Sequence, residues 1–158
     1  ASLVKKAREL GYAEPDPRTD LSGTDVLRKA LILSRELGYQ TEASDISQRE
    51  FLPEEVMSGT VEEFYSKLEA YETEILKLYK ETEQEGKKLR YVATISNGFA
   101  EISLKKVETD SPLFNLKGTD NSVIITSEDY PSSITITGAG AGARQTASGI
   151  LNDILKIN

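Results

Sequence analysis

Cysteine, histidine and tryptophan are all absent from the 158 residues. Without thiol or imidazole groups, disulfides, zinc sites and histidine-based general catalysis are excluded, and no metal site is expected. No apolar run approaches the roughly 18 residues of a membrane-spanning helix, and no signal-peptide pattern opens the chain, so no membrane partner is expected. Positive charge is the scarcer sign: 19 Lys and Arg stand against 26 Asp and Glu, a net charge of −7. No basic stripe is present to neutralise phosphates, which excludes nucleic acid as a partner. A cytoplasmic setting is the expectation.

At 38% hydrophobic residues the chain can bury one real core. The first residue is Ala rather than Met, and the helical pattern of residues 2–10 starts at once. A fragment of a longer protein is the expectation, although a processed terminus has the same appearance.

The densest polar constraint lies in residues 11–29, GYAEPDPRTDLSGTDVLRK, which hold four carboxylates, two prolines, two glycines and a lysine. The prolines bias Glu14 and Asp16 toward extended backbone, which predicts a stiff loop. From about Gly23 the pattern turns helical, with Ser22 as the expected N-cap and Gly38 as the residue just past the C-terminus. Asp25 and Lys29 are then an i, i+4 pair near the start of that helix. The plain reading is a surface ion pair worth a few tenths of a kcal/mol, with the prolines shaping a linker. The chemical reading is that Glu14 and Asp20 fold back toward the same helix end. Oxidising an alcohol to a carbonyl needs a hydride carrier and a group that exchanges a proton with the oxygen, a task open to a tuned lysine. Carboxylates are suited to hold the ammonium group of an amino-acid substrate.

The residue string decides between them, because it resembles the substrate-binding signature of the homoserine dehydrogenases, G-Y-x-E-P-D-P-x-x-D-x-x-G-x-D-x-x-x-K, at every specified position. The resemblance implies Lys29 as the proton donor or acceptor, Glu14, Asp20 and Asp25 as substrate-binding residues, and Gly11 as a cofactor contact. Thr19 stands where many members have an acidic residue, so a paired Asp-Asp is not carried over.

Farther along, residues 61–86 carry apolar positions at helical spacing, opened by a Thr60/Glu63 capping box. The tyrosines on this stretch are expected to face a sheet. Residues 89–96 and 99–107 read as an antiparallel hairpin about Asn97-Gly98, and residues 122–127 and 133–137 as two more strands. Helices first and strands after predict an α+β fold, a mixed sheet covered by helices.

Residues 138–143, Gly-Ala-Gly-Ala-Gly-Ala, open a last helical pattern and match the loose dinucleotide form G-x-G-x-x-A. Too little chain follows for the downstream strand and acidic residue of a full Rossmann unit. On spacing alone, tight strand-helix packing is the better account of the small residues, but the resemblance, which extends to GAGARQTASGILNDIL, makes Gly142 and Gly140 expected cofactor contacts. GKKLRYVATI and SPLFNLKGTDN resemble the family's substrate-domain segments too.

As implied by the resemblance, residues 1–137 form the substrate-binding and dimerisation domain, and 138–158 a Gly-rich turn and helix that packs on a nucleotide-binding domain outside this chain. The activity implied is the NAD- or NADP-dependent interconversion of L-homoserine and L-aspartate 4-semialdehyde, on the route to threonine, methionine and isoleucine. A homodimer is implied, with a fused aspartate kinase as an open option and an isolated fragment that is inactive. A non-catalytic module that keeps the fold and senses an amino acid is the rival from another class.

Overall fold

The computed structural model describes residues 1–157 and divides them into two compact units, Ala1–Val107 and a second from Glu108 onward. The division falls at Val107, whereas the sequence reading put the change at residue 137. The hairpin after Val107 pairs only within itself, so its hydrogen bonds do not extend the sheet that precedes it.

In the first unit, α1 (Ser2–Glu9) is followed by α2 (Arg18–Leu21), α3 (Thr24–Glu36), a 3-10 turn (Ala43–Asp45), β1 (Ile46–Gln48), α4 (Glu54–Met57), α5 (Val61–Gln84), β2 (Lys88–Ser96) and β3 (Phe99–Val107). The sheet has the order β1-β3-β2, with β2 antiparallel and β1 parallel to the central β3. It is mixed, in agreement with the sequence reading. Asn97 and Gly98 both take positive φ, 50° and 81°, the combination a two-residue hairpin turn demands. Strand β1 was not expected, because three residues are too short to display alternation.

Helix α3 covers one face of this sheet. Ala30, Ile46, Ala100 and Ile102 form the buried core there, flanked by Val26, Leu27, Leu31, Tyr91, Ala93 and Ile95. A second core gathers Leu52, Val56, Phe64 and Leu68 between α4 and α5, with Tyr65 and Tyr71 against it. The expectation that the α5 tyrosines face a sheet is therefore corrected. Tyr65 and Tyr71 pack among helices, whereas Tyr79 stands about half exposed. The capping box is present as read, with Glu63 N–H donating to Thr60 Oγ1 at 3.2 Å and Thr60 N–H to Glu63 Oε2 at 2.7 Å.

In the second unit, β4 (Asp120–Ile125) and β5 (Ile134–Ala139) form an antiparallel pair, and α6 (Ala143–Lys156) follows. The expected strands and final helix are all found, with β5 running on through Gly138 and Ala139.

Candidate active site

Two turns of chain place the signature residues. Pro17, with φ −67° and ψ −10°, already has helical backbone and launches the four-residue α2, so the second half of the expected loop is a helical turn. Ser22 ends α2 in the same conformation and therefore cannot be the extended N-cap expected of it. Gly23 takes that place, at φ 74° and ψ 11°, and the reversal it makes sends α3 off in its own direction. The C-terminal expectation holds: Gly38 follows Leu37 with φ 89°.

Gly23 has a second constraint. A Cβ there would lie 2.5 Å from Tyr91 Oη and 2.9 Å from Gln48 Nε2. Gln48, at the end of β1, donates through Nε2 to the Ser22 carbonyl and, at 3.3 Å, to Tyr91 Oη. The start of α3 is thus tied to the sheet.

On that helix start, Lys29 Nζ stands 2.7 Å from Asp25 Oδ2, with 47% of the lysine side chain and 70% of the aspartate exposed. Upstream, Glu14 N–H donates to Asp20 Oδ2 at 2.9 Å, closing the loop on itself. Gly23 N–H reaches the Asp20 carbonyl at 3.4 Å, so Asp20 sits directly before α3. The structure therefore joins Glu14 with Asp20 and Asp25 with Lys29. Among the described residues, Lys29 is paired with neither Glu14 nor Asp20. As it stands, the ion pair is an open, solvated one, and what distinguishes it is position rather than burial.

Three residues important to this geometry were not singled out from sequence: Arg18, Gln48 and Tyr91. Arg18 Nε and Nη2 grip both oxygens of Asp16 at 2.6–3.1 Å, while Nη1 donates to the carbonyls of Met57 and Gly59 at 3.3 and 2.5 Å. A planar guanidinium is suited to such a fork. It pins the Pro-Asp-Pro turn to the α4–α5 connection. Hydrogen bonding from Arg18, outweighing partial desolvation, holds the Asp16 carboxyl below the usual carboxylate range. A carboxyl whose pKa is lowered by folding stabilises the fold above the ordinary carboxylate range, and that contribution disappears as pH falls through its lowered value. Wild-type protein is expected to exceed Asp16→Asn in stability at neutral pH, modestly because the pair is partly solvated. The gap should close on acidification, as followed by urea denaturation across a pH series; a gap independent of pH would remove the ion pair as its cause.

The three glycines expected at a cofactor differ in setting. Gly11, φ 72°, ends α1, and nothing lies within 4 Å of where its Cβ would be, so its backbone is approachable. In the second unit, the space beside Gly140 is filled by the Asn121 side chain, and its N–H donates to Thr119 O at 2.8 Å. Its smallness is accounted for by packing within the hairpin. Gly142, φ 131°, occupies the N-cap of α6, where no side chain caps the helix. The Gln145 side chain fills the space that a Cβ on Gly142 would take.

A family model described as homoserine dehydrogenase matches residues 1–155. The homoserine dehydrogenase of Schizosaccharomyces pombe is 40% identical over 99% of this chain and 43% of its own length. A chloroplastic bifunctional aspartokinase/homoserine dehydrogenase 2 of Zea mays is 38% identical over 99% of this chain and 18% of its own. The chain therefore spans less than half the length of these relatives. Among solved structures, a putative homoserine dehydrogenase from Archaeoglobus fulgidus is similar over 99% of this chain and 42% of its own, with 28% identity and a TM-score of 0.73. A hyperthermophilic archaeal homoserine dehydrogenase in complex with NADPH aligns over 97% of this chain and 38% of its own, with 26% identity and a TM-score of 0.65.

Proposed function

The chain belongs to the homoserine dehydrogenase family, and from that premise we propose that it is the substrate-binding and dimerisation part of a cytoplasmic enzyme interconverting L-homoserine and L-aspartate 4-semialdehyde. The observation that carries the proposal is the Asp25–Lys29 pair at 2.7 Å, presented open to solvent on the first turns of α3. An exposed amine beside a carboxylate can meet a small polar substrate directly.

In this reading Glu14 and Asp25 receive the substrate ammonium through charge-assisted hydrogen bonds, and Asp20 holds the loop that presents Glu14. In the oxidation direction Lys29, as the free amine, takes the hydroxyl proton while the C–H bond on the same carbon gives up a hydride. In reduction Lys29 returns the proton to the oxygen. Hydride acceptance is the chemistry a bound nicotinamide supplies. The NADPH complex of the archaeal relative supports a nicotinamide cofactor, NADP or NAD. Gly11 has open space beside its backbone, whereas Gly140 is flanked by the Asn121 side chain and Gly142 by that of Gln145. The greater length of the relatives supports a separate nucleotide-binding domain, and the Zea mays protein supports an aspartate kinase in the same polypeptide as an option. A homodimer, a role in threonine, methionine and isoleucine biosynthesis, and inactivity of this chain alone complete the reading.

Steady-state kinetics on the full-length protein test the substrate contacts. Glu14→Gln and Asp25→Asn each remove a charged partner worth about 1.5–3 kcal/mol, so KM for L-homoserine should rise about 10- to 100-fold. KM for the cofactor should hold. Unchanged homoserine KM in both variants would refute the assigned contacts.

A further inference from the structure

Lys29 can exchange a proton with a substrate oxygen only if the register of α3 along its own axis is held. Val26, Leu27, Ala30 and Leu31 pack the helix on the sheet, and interdigitated side chains resist sliding. Directional bonds add to that restraint at both ends. At the C-terminal end, Ser34 Oγ and Thr41 Oγ1 are 2.6 Å apart and buried, and Arg35 Nε donates to Thr41 O at 3.0 Å. At the N-terminal end, Gln48 Nε2 donates to the carbonyl of Ser22, and Tyr91 Oη both accepts from Gln48 at 3.3 Å and reaches Arg49 O at 3.4 Å. The Tyr91 ring edge and the Gln48 amide also close on Gly23 from the side its Cβ would occupy. Lys29 lies nearly two turns beyond this anchor.

We propose that Gln48 and Tyr91 are positioning residues for the reaction, acting through Ser22 and Gly23 to set where α3 carries Lys29. Neither is assigned contact with substrate or cofactor. The inference rests on the proton-transfer reading of Lys29. A displacement of about 1 Å at a reacting group can cost about 10²-fold in rate, so partial loosening should fall short of that.

The test is a double-mutant cycle on the full-length protein, with kcat and KM for L-homoserine measured in Gln48→Leu, Lys29→Ala and the combination. Gln48→Leu is expected to lower kcat about 10-fold with KM for the cofactor unchanged. The double variant should be no slower than Lys29→Ala alone, because a misplaced lysine and a missing one fail at the same step. If Gln48→Leu turns over like wild type, or if the two losses multiply, the positioning role is overturned and the bonds are structural. Tyr91→Phe, which keeps the ring on Gly23 and removes only the hydroxyl, guards against a misfolded Gln48 variant; it should lose about 3-fold in kcat and show the same absence of further loss with Lys29→Ala. If instead Lys29→Ala itself turns over normally, the reading of Lys29 fails, which is recognisably different from a silent Gln48 in an enzyme that still needs its lysine.

Discussion

Replacing Lys29 by alanine in the full-length protein is expected to lower turnover of L-homoserine by about 10²–10⁴-fold while KM for homoserine moves only a few-fold. A group that exchanges a proton with the reacting oxygen is worth most in the transition state and little in the ground state. The pair geometry sharpens the expectation. Asp25 holds the lysine at 2.7 Å and is also assigned to the substrate ammonium, so Asp25→Asn should act on KM where Lys29→Ala acts on kcat. A Lys29→Ala enzyme with normal turnover would end the catalytic assignment.

Gly23→Ala should be strongly destabilising for the first unit. Two penalties coincide there. The backbone sits at φ 74°, where an L side chain is strained by about 1–2 kcal/mol, and the new Cβ would meet Tyr91 Oη at 2.5 Å and Tyr91 Cε1 at 2.7 Å. Forcing the ring and the Gln48 amide aside adds roughly 1–3 kcal/mol. Gly38→Ala is the matched control, because Gly38 has φ 89° but open space around it. Denaturant unfolding should place Gly23→Ala about 2–5 kcal/mol below wild type and Gly38→Ala about 1–2 kcal/mol below. Equal losses at the two glycines would mean that the tie between α3 and the sheet carries no weight.

These two positions illustrate what a reader of the sequence can and cannot see. Features whose partners lie within a few residues were legible: the Asn97-Gly98 turn, the Thr60/Glu63 capping box, the Gly38 helix terminus and the Asp25–Lys29 spacing. Each is decided by local backbone preference or by one helical turn. The signature carried the candidate site because its residues are close in sequence, and Gly11, Glu14, Asp20, Asp25 and Lys29 could be named together.

What sequence could not display is long-range. Gln48 meets Ser22 across 26 positions and Tyr91 across 43, and Arg18 reaches Gly59 across 41. Tyr91 looked like any strand residue, and Gln48 fell outside the expected helices and strands. The short elements α2 and β1 escaped for another reason: four and three residues give no period to detect. Ser22 was taken for the N-cap because serine is a favoured N-cap residue, and only the left-handed turn between two helices makes the glycine beside it the necessary choice. For the terminal small-residue run, spacing alone favoured packing over ligand contact. In the structure the Asn121 side chain lies against Gly140 and that of Gln145 against Gly142.

The central claim is that this chain supplies the substrate half of a dehydrogenase site rather than a sensing module of the same fold. The most direct test measures L-homoserine binding and homoserine-dependent nicotinamide reduction on one preparation of the full-length protein. Binding accompanied by cofactor reduction, with L-aspartate 4-semialdehyde formed mole for mole, is the predicted result. Saturable homoserine binding without any reduction of NAD or NADP would contradict it and leave Lys29 as a binding residue in a regulatory protein.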